Sequence, residues 1–253
     1  MGEADMDTTM QSPGATQGDV PAESALLCSK CGYTLDGLPS DGRCPECGTA
    51  ISETTGVRRV PPAWETVGGL KGWLFTTLGL LRRPIGYWAS FQSRPTDAAQ
   101  YRRAQRFAAW HAALAGLLFA VAITYHARLI GIRFGNGIWL PLLAFVVVIV
   151  TALGGKWLAS HLTAFESRQR GLRLPQPVVW RVLAYQSAAL LPFALLAAAT
   201  VGGARLLVEY QPIVFAKNLH VYIGILAAEA IVGGAYLFWT YWMAMRGVMY
   251  AND

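Results

Sequence analysis

Charge is scarce in this sequence. Only 14% of its 253 residues are Asp, Glu, Lys or Arg, while 54% are hydrophobic, and mean hydropathy is positive. A soluble domain carries about a quarter charged residues, so the composition argues against a water-soluble globule. The net charge of +6 is unevenly spread. Lys and Arg are missing from the first 25 residues, which hold Glu3, Asp5, Asp7, Asp19 and Glu23. That stretch also lacks the basic start and apolar run of a secretory leader. It is rich in Gly, Pro, Ser and Thr and reads as a disordered acidic tail over residues 1–25. Cysteine is missing outside positions 28–47, so nothing is left to pair elsewhere, and the clustering suggests one metal site in a reducing compartment over a redox dithiol. Familiar catalytic signatures are missing too: there is no His-Glu-x-x-His helix, Gly-x-Ser-x-Gly elbow or phosphate loop. The expectation is a protein without enzymatic activity.

What is present begins with Cys28-x-x-Cys31 and, twelve residues on, Cys44-x-x-Cys47. Two residues between cysteines let a tight turn aim both sulfurs at one ion, and zinc takes four thiolates tetrahedrally. Gly32 and Gly48 follow the pairs and let the backbone curl beneath the sulfurs, while Pro45 stiffens the second turn. The predicted unit, residues 26–52, has Tyr33, Leu35, Leu38 and Ile51 as its few apolar anchors. Metal binding would therefore supply much of its folding energy. The expected cofactor is one structural Zn2+ per chain, with all four positions closed by Cys28, Cys31, Cys44 and Cys47. Lys30 and Arg43 are outnumbered by Asp36, Asp41 and Glu46, so no nucleic-acid partner is expected. A cytoplasmic protein partner, or packing on the rest of the chain, fits better.

Residues 53–103 read as a linker with amphipathic helices at the membrane interface. The apolar run from Gly72 to Leu81 is too short to span, and Arg82, Arg83, Pro84, Tyr87, Trp88 and Phe91 follow it. Packing of this segment on the bundle is the alternative. Residues 104–246 then contain four stretches of spanning length, roughly 105–127, 138–159, 180–206 and 219–244. Pro192 should kink the third. The fold class is thus an all-α membrane protein: a four-helix transmembrane bundle preceded by a small zinc ribbon and interfacial helices.

Arginines set the orientation. Arg82, Arg83, Arg94, Arg102, Arg103 and Arg106 precede the first span. Arg168, Arg170, Arg173 and Arg181, offset by Glu166, separate the second from the third. The other two loops have only Arg128 and Arg133, and Arg205, Glu209 and Lys217. Both termini should be cytoplasmic, in a multi-pass protein of a bacterial inner membrane.

Within the spans, Ala108, Ala112, Gly116 and Ala120 recur every four residues, as do Gly224 and Ala228. Small residues at this spacing admit close helix packing, inside the chain or between copies in a homo-oligomer. Polar residues are few: Glu229 near the middle of the fourth span, His111 in the first and Gln186 in the third. Asn218, Tyr222, Glu229, Tyr236 and Thr240 form a stripe expected to face the bundle. Glu229, His111, Gln186, Tyr222 and Tyr236 are the candidate intramembrane polar site.

The pattern CxxCGYxLxGLPxxGxCPECGxxI over Cys28–Ile51 resembles a double-knuckle zinc ribbon found at the front of many bacterial membrane proteins. More loosely, Leu70–Phe91 with Pro84, followed by a compact bundle, resembles the Yip family of multi-spanning membrane proteins. Five spans are usual there and four are read here. That resemblance implies a membrane-organising or trafficking role without catalysis. The alternatives are a small transporter or channel with a polar path near Glu229, and a membrane enzyme using Glu229 and His111.

Overall fold

The computed structural model describes residues 25–55, 59–94, 97–131, 138–172 and 174–252. The expected disordered tail lies, apart from Ala25, outside them. The described residues form helices and no named strand, with three isolated bridges: Leu27 to Thr34, Arg43 to Ala50 and Val60 to Phe91. The cysteine module closes on a short helix, α1 (Ile51–Thr55). Helices α2 (Ala63–Thr66), α3 (Gly69–Arg82) and α4 (Pro84–Ala89) follow. The long helices are α5 (Ala98–Leu129), α6 (Trp139–Gln169), α7 (Gln176–Gln186) continuing into α8 (Leu190–Tyr210), and α10 (Leu219–Val248), with the short α9 (Pro212–Lys217) before the last.

Four helical segments are long and apolar enough to cross a membrane: Ala98–Leu129, Trp139–Gln169, Gln176–Tyr210 and Leu219–Val248. Each runs beyond the apolar stretch visible in the sequence, because amphipathic turns extend it. The first turns of α5 carry exposed Arg102, Arg103 and Arg106, and Asp97 caps it by accepting a 2.7 Å bond from the Gln100 N–H. α6 is inside-out by the standards of a water-soluble helix. Its buried positions include Lys156, Ser160, Thr163 and Ser167, while Leu143, Val147, Val150, Leu162 and Phe165 lie exposed. An apolar outer face of this extent suits lipid, not water.

The third segment is interrupted by a 3-10 turn, Ser187–Ala189, between α7 and α8. Pro192 has no N–H to offer the Ala188 carbonyl, and its ring crowds that carbonyl in a regular helix. The tighter turn at Ser187–Ala189 is the local response.

α5 is the central helix, packed on both α6 and α8. Its row of small residues makes that approach feasible: Ala108, Ala112 and Ala120 are buried. A Cβ on Gly116 would come within 3.3 Å of Phe145 and Ile149 on α6. A Cβ on Gly224 of α10, by contrast, would meet nothing within 4 Å. The main core lies towards one end of the bundle, where Trp88, Phe91, Phe107, Val182, Tyr185, Met245 and Val248 converge. α3 turns Gly72, Thr76, Thr77 and Leu80 inwards and leaves Leu70, Leu74, Phe75 and Leu78 exposed. Fourteen residues make it about 21 Å long, so it packs beside the bundle without matching the four long segments.

Candidate metal centre and the buried polar clusters

The two CxxC turns are built alike. The Gly32 N–H donates to the Cys28 carbonyl and the Gly48 N–H to the Cys44 carbonyl, both at 2.9 Å. Cys28 and Cys44 in turn donate their N–H groups to the carbonyls of Tyr33 and Thr49 at 2.8 Å. The chain must reverse sharply after each second cysteine, and both glycines take positive φ, 80° and 71°, which glycine adopts without Cβ strain. The result brings the four sulfurs within 4.8 Å of one another. Cys28 and Cys47 Sγ are 3.6 Å apart and Cys31 and Cys44 Sγ 3.5 Å. A disulfide needs about 2.05 Å, whereas thiolates bound tetrahedrally at about 2.3 Å sit roughly 3.8 Å apart. The donor set thus fits one metal ion, with no ligand position left over for chemistry. Burial pushes the Cys31 thiol up to about 12, while the Thr49 hydroxyl and N–H lower Cys47 to about 6.

Leu35 and Ile51 are buried in one cluster with Cys28 and Cys44, and Leu26 and Leu38 pack against it. Tyr33, expected as an anchor, is 40% exposed; Leu26, not singled out in the sequence, packs against the cluster. The module is also fastened to the far end of the chain. Leu27 exchanges two backbone bonds with the side-chain amide of Asn252, at 2.9 and 2.8 Å. Tyr250 lies so close that a Cβ on Gly32 would be 2.4 Å from its ring. Just downstream, Arg59 donates to the carbonyls of Phe91 and Gly247 at 3.0 and 3.3 Å.

A second constellation escaped the sequence reading. Glu65 of α2 is buried, and its carboxylate faces Arg181 of α7, which is fully buried. Arg181 Nη2 donates to Oε2 at 2.7 Å and Nε to Oε1 at 3.2 Å, while the Tyr185 hydroxyl donates to Oε1 at 2.6 Å. Arg181 Nη1 reaches the Gln92 carbonyl, and its guanidinium lies 5.1 Å over the Phe91 ring. Arg181 is therefore a structural residue of the core and not a loop charge. The sequence signal is a lone arginine inside VVWRVLAY, matched by a lone glutamate in AWETVGG.

The intramembrane candidates do not gather into one site. His111 is buried; its Nδ1 donates to the Phe107 carbonyl at 2.8 Å, Thr77 Oγ1 lies 3.0 Å from Nε2, and Trp73 stacks on the ring. Gln186 donates to the Leu237 carbonyl at 3.0 Å and to Thr240 at 3.3 Å. Tyr222 pairs with His126 at 2.8 Å. Glu229 accepts a bond from Thr200 of α8, so the stripe faces the neighbouring span there, while Asn218 at its start is exposed. Tyr236 borders a small crevice with Leu80, Trp88 and Tyr185. Gln186 and Tyr236 share that crevice, while His111, Tyr222 and Glu229 have separate partners. Lys156 of α6 also went unread: it is buried, and its Nζ has no hydrogen-bond partner.

These features define an all-helical chain with four potential membrane spans and a four-cysteine module clamped to its C-terminal end. No family model, curated protein or solved structure matches the chain. The ribbon-like and Yip-like resemblances therefore rest on the quoted residues alone.

Proposed function

We propose that this is a non-enzymatic, multi-pass protein of a bacterial inner membrane whose cytoplasmic module holds one structural zinc ion and serves in membrane organisation or protein interaction. The closed four-thiolate cluster is the observation that carries this reading. It leaves no ligand position for a substrate, and its backbone is tied to Asn252 at the end of the last span. Metal binding then orders a protein surface at the cytoplasmic mouth of the bundle. The exposed apolar residues of α3 would lie in the adjacent interface, with Arg82 and Arg83 reaching the headgroups. Purified protein should contain one zinc per chain. Cys44→Ser should lose it, make residues 26–51 protease-sensitive, and lose any partner that full-length wild-type protein retains in a pull-down. Reduced protein free of zinc would overturn the reading.

A second reading, a small transporter or channel, draws on Glu229, whose Oε2 is buried without a hydrogen-bond partner beside the third span. Glu229→Gln keeps the shape and cannot ionise. Loss of transport in a correctly folded Glu229→Gln protein would favour it, and unchanged behaviour would leave Glu229 a packing residue.

A further inference from the structure

A cleft of about 580 Å³ lies among the spans, bounded by α5, α6, α7, the start of α8 and α10. That volume falls in the range of about 300–1,000 Å³ common to small-molecule sites. Its walls are mostly apolar, with Phe119, Val147, Leu190 and Phe238 among them. Val147 and Phe238 are more than half exposed, so the cleft opens sideways, where the bilayer would be. Lys156 lines it. This lysine is only 8% exposed, and its Nζ is buried without a hydrogen-bond partner. No Asp or Glu lines the cleft, and the Gln186 amide is already committed to Leu237 and Thr240. An unpartnered amine in hydrocarbon is costly and marks a functional position.

We propose that the cleft binds a long-chain carboxylic acid drawn from the bilayer, with its headgroup on Lys156 Nζ and its chain along the apolar walls. The missing partner must be an oxygen-bearing group, and the lateral opening requires an amphiphile. The enclosure of Nζ selects the headgroup. Among the described residues, Lys156 is the one charged side chain lining the cleft, and its Nζ is buried. A phosphodiester would keep a fixed charge there with that single cationic partner. A carboxyl group can enter protonated and then either donate its O–H to the amine or accept from an ammonium as the carboxylate.

The test uses the full chain in nonionic detergent, with cis-parinaric acid, a fluorescent long-chain polyene acid, as the probe. Unlabelled oleic acid, oleyl alcohol and phosphatidylglycerol compete for it. Oleic acid should displace the probe at least tenfold better than oleyl alcohol or phosphatidylglycerol. Lys156→Met, which keeps the stem and removes the nitrogen, should weaken the probe at least tenfold and abolish the preference for acid over alcohol. Ala152→Trp, which fills the cleft and leaves Lys156 in place, should also weaken it and guards against a folding defect in the lysine variant. Equal competition by acid and alcohol, or an unchanged Lys156→Met, would overturn the proposal in favour of ordinary acyl-chain solvation. Stronger competition by phosphatidylglycerol would overturn the carboxylic acid assignment.

Discussion

Two residues with the same backbone conformation carry different burdens. Gly32 and Gly48 both have positive φ, but only Gly32 has a neighbour where a Cβ would go, the Tyr250 ring at 2.4 Å. Gly48→Ala should therefore cost only the left-handed penalty, about 1–2 kcal/mol. Gly32→Ala should cost more, because Tyr250 must move and the module then separates from the end of α10. Adding Tyr250→Ala to Gly32→Ala should bring the loss back near that of Gly48→Ala. Thermal unfolding of the zinc-loaded protein checks the series, and equal losses for the two glycine variants would remove the clamp from the explanation. The Glu65–Arg181 pair makes a second contrast at this scale. Breaking a buried pair strands a charge and costs about 3–5 kcal/mol, whereas an apolar replacement of the pair is often neutral. Glu65→Ala should destabilise strongly, and Glu65→Leu combined with Arg181→Met should recover most of the loss in denaturant titrations. If the double variant loses as much as the two singles added together, the pair is not coupled.

At the scale of elements, periodicity and length made the four long helices readable, because nothing else in the chain offers twenty apolar residues in a row. The cysteine spacing did the same for the metal-ligand set. The helix ends were less legible. α6 continues to Gln169 and α5 starts at Ala98, since charged turns outside an apolar run look like loop. The 3-10 turn at Ser187–Ala189 was announced by Pro192 four residues late, because proline disturbs the turn before it. Small-residue spacing alone could not tell a used face from an unused one: a Cβ on Gly116 would press on α6, whereas one on Gly224 would meet no neighbour within 4 Å. This difference predicts opposite outcomes. Gly116→Leu should overpack the α5–α6 contact and cost about 1–3 kcal/mol, while Gly224→Leu should stay within about 0.5 kcal/mol. Unfolding in mixed micelles measures both, and a large loss for Gly224→Leu would show that its face is covered by a second copy. The polar partners were the least legible part. Glu65 and Arg181 are 116 residues apart, and no local pattern announces such a pair; Lys156 was absorbed into an otherwise apolar run.

At the scale of the whole molecule, the question is which side of the membrane each end occupies. The positive-inside count loses Arg181, which is fully buried, and Arg170 is offset by Glu166 at 2.6 Å. Arg103 is engaged with the Glu65 carbonyl. What remains still favours the same side: Arg82, Arg83, Arg102 and Arg106 are exposed before and at the start of α5, against Arg128 and Arg133, and Arg205 and Lys217, in the two sequence stretches that join the spans at the other side. The bonds between Leu27 and Asn252 add an independent constraint, because they hold the cysteine module and the C-terminus together. A chain whose ends meet on one side must cross an even number of times. That agrees with four spans and with α3 packing beside them without crossing. Reduced thiols require the same compartment that the arginines prefer. Reporter fusions after Gln169 and at the C-terminus should therefore read inside, and fusions at Asn136 and Gln211 outside. A C-terminus read outside, with the module still inside, would require a fifth crossing or the loss of one, and would contradict the Leu27–Asn252 contact.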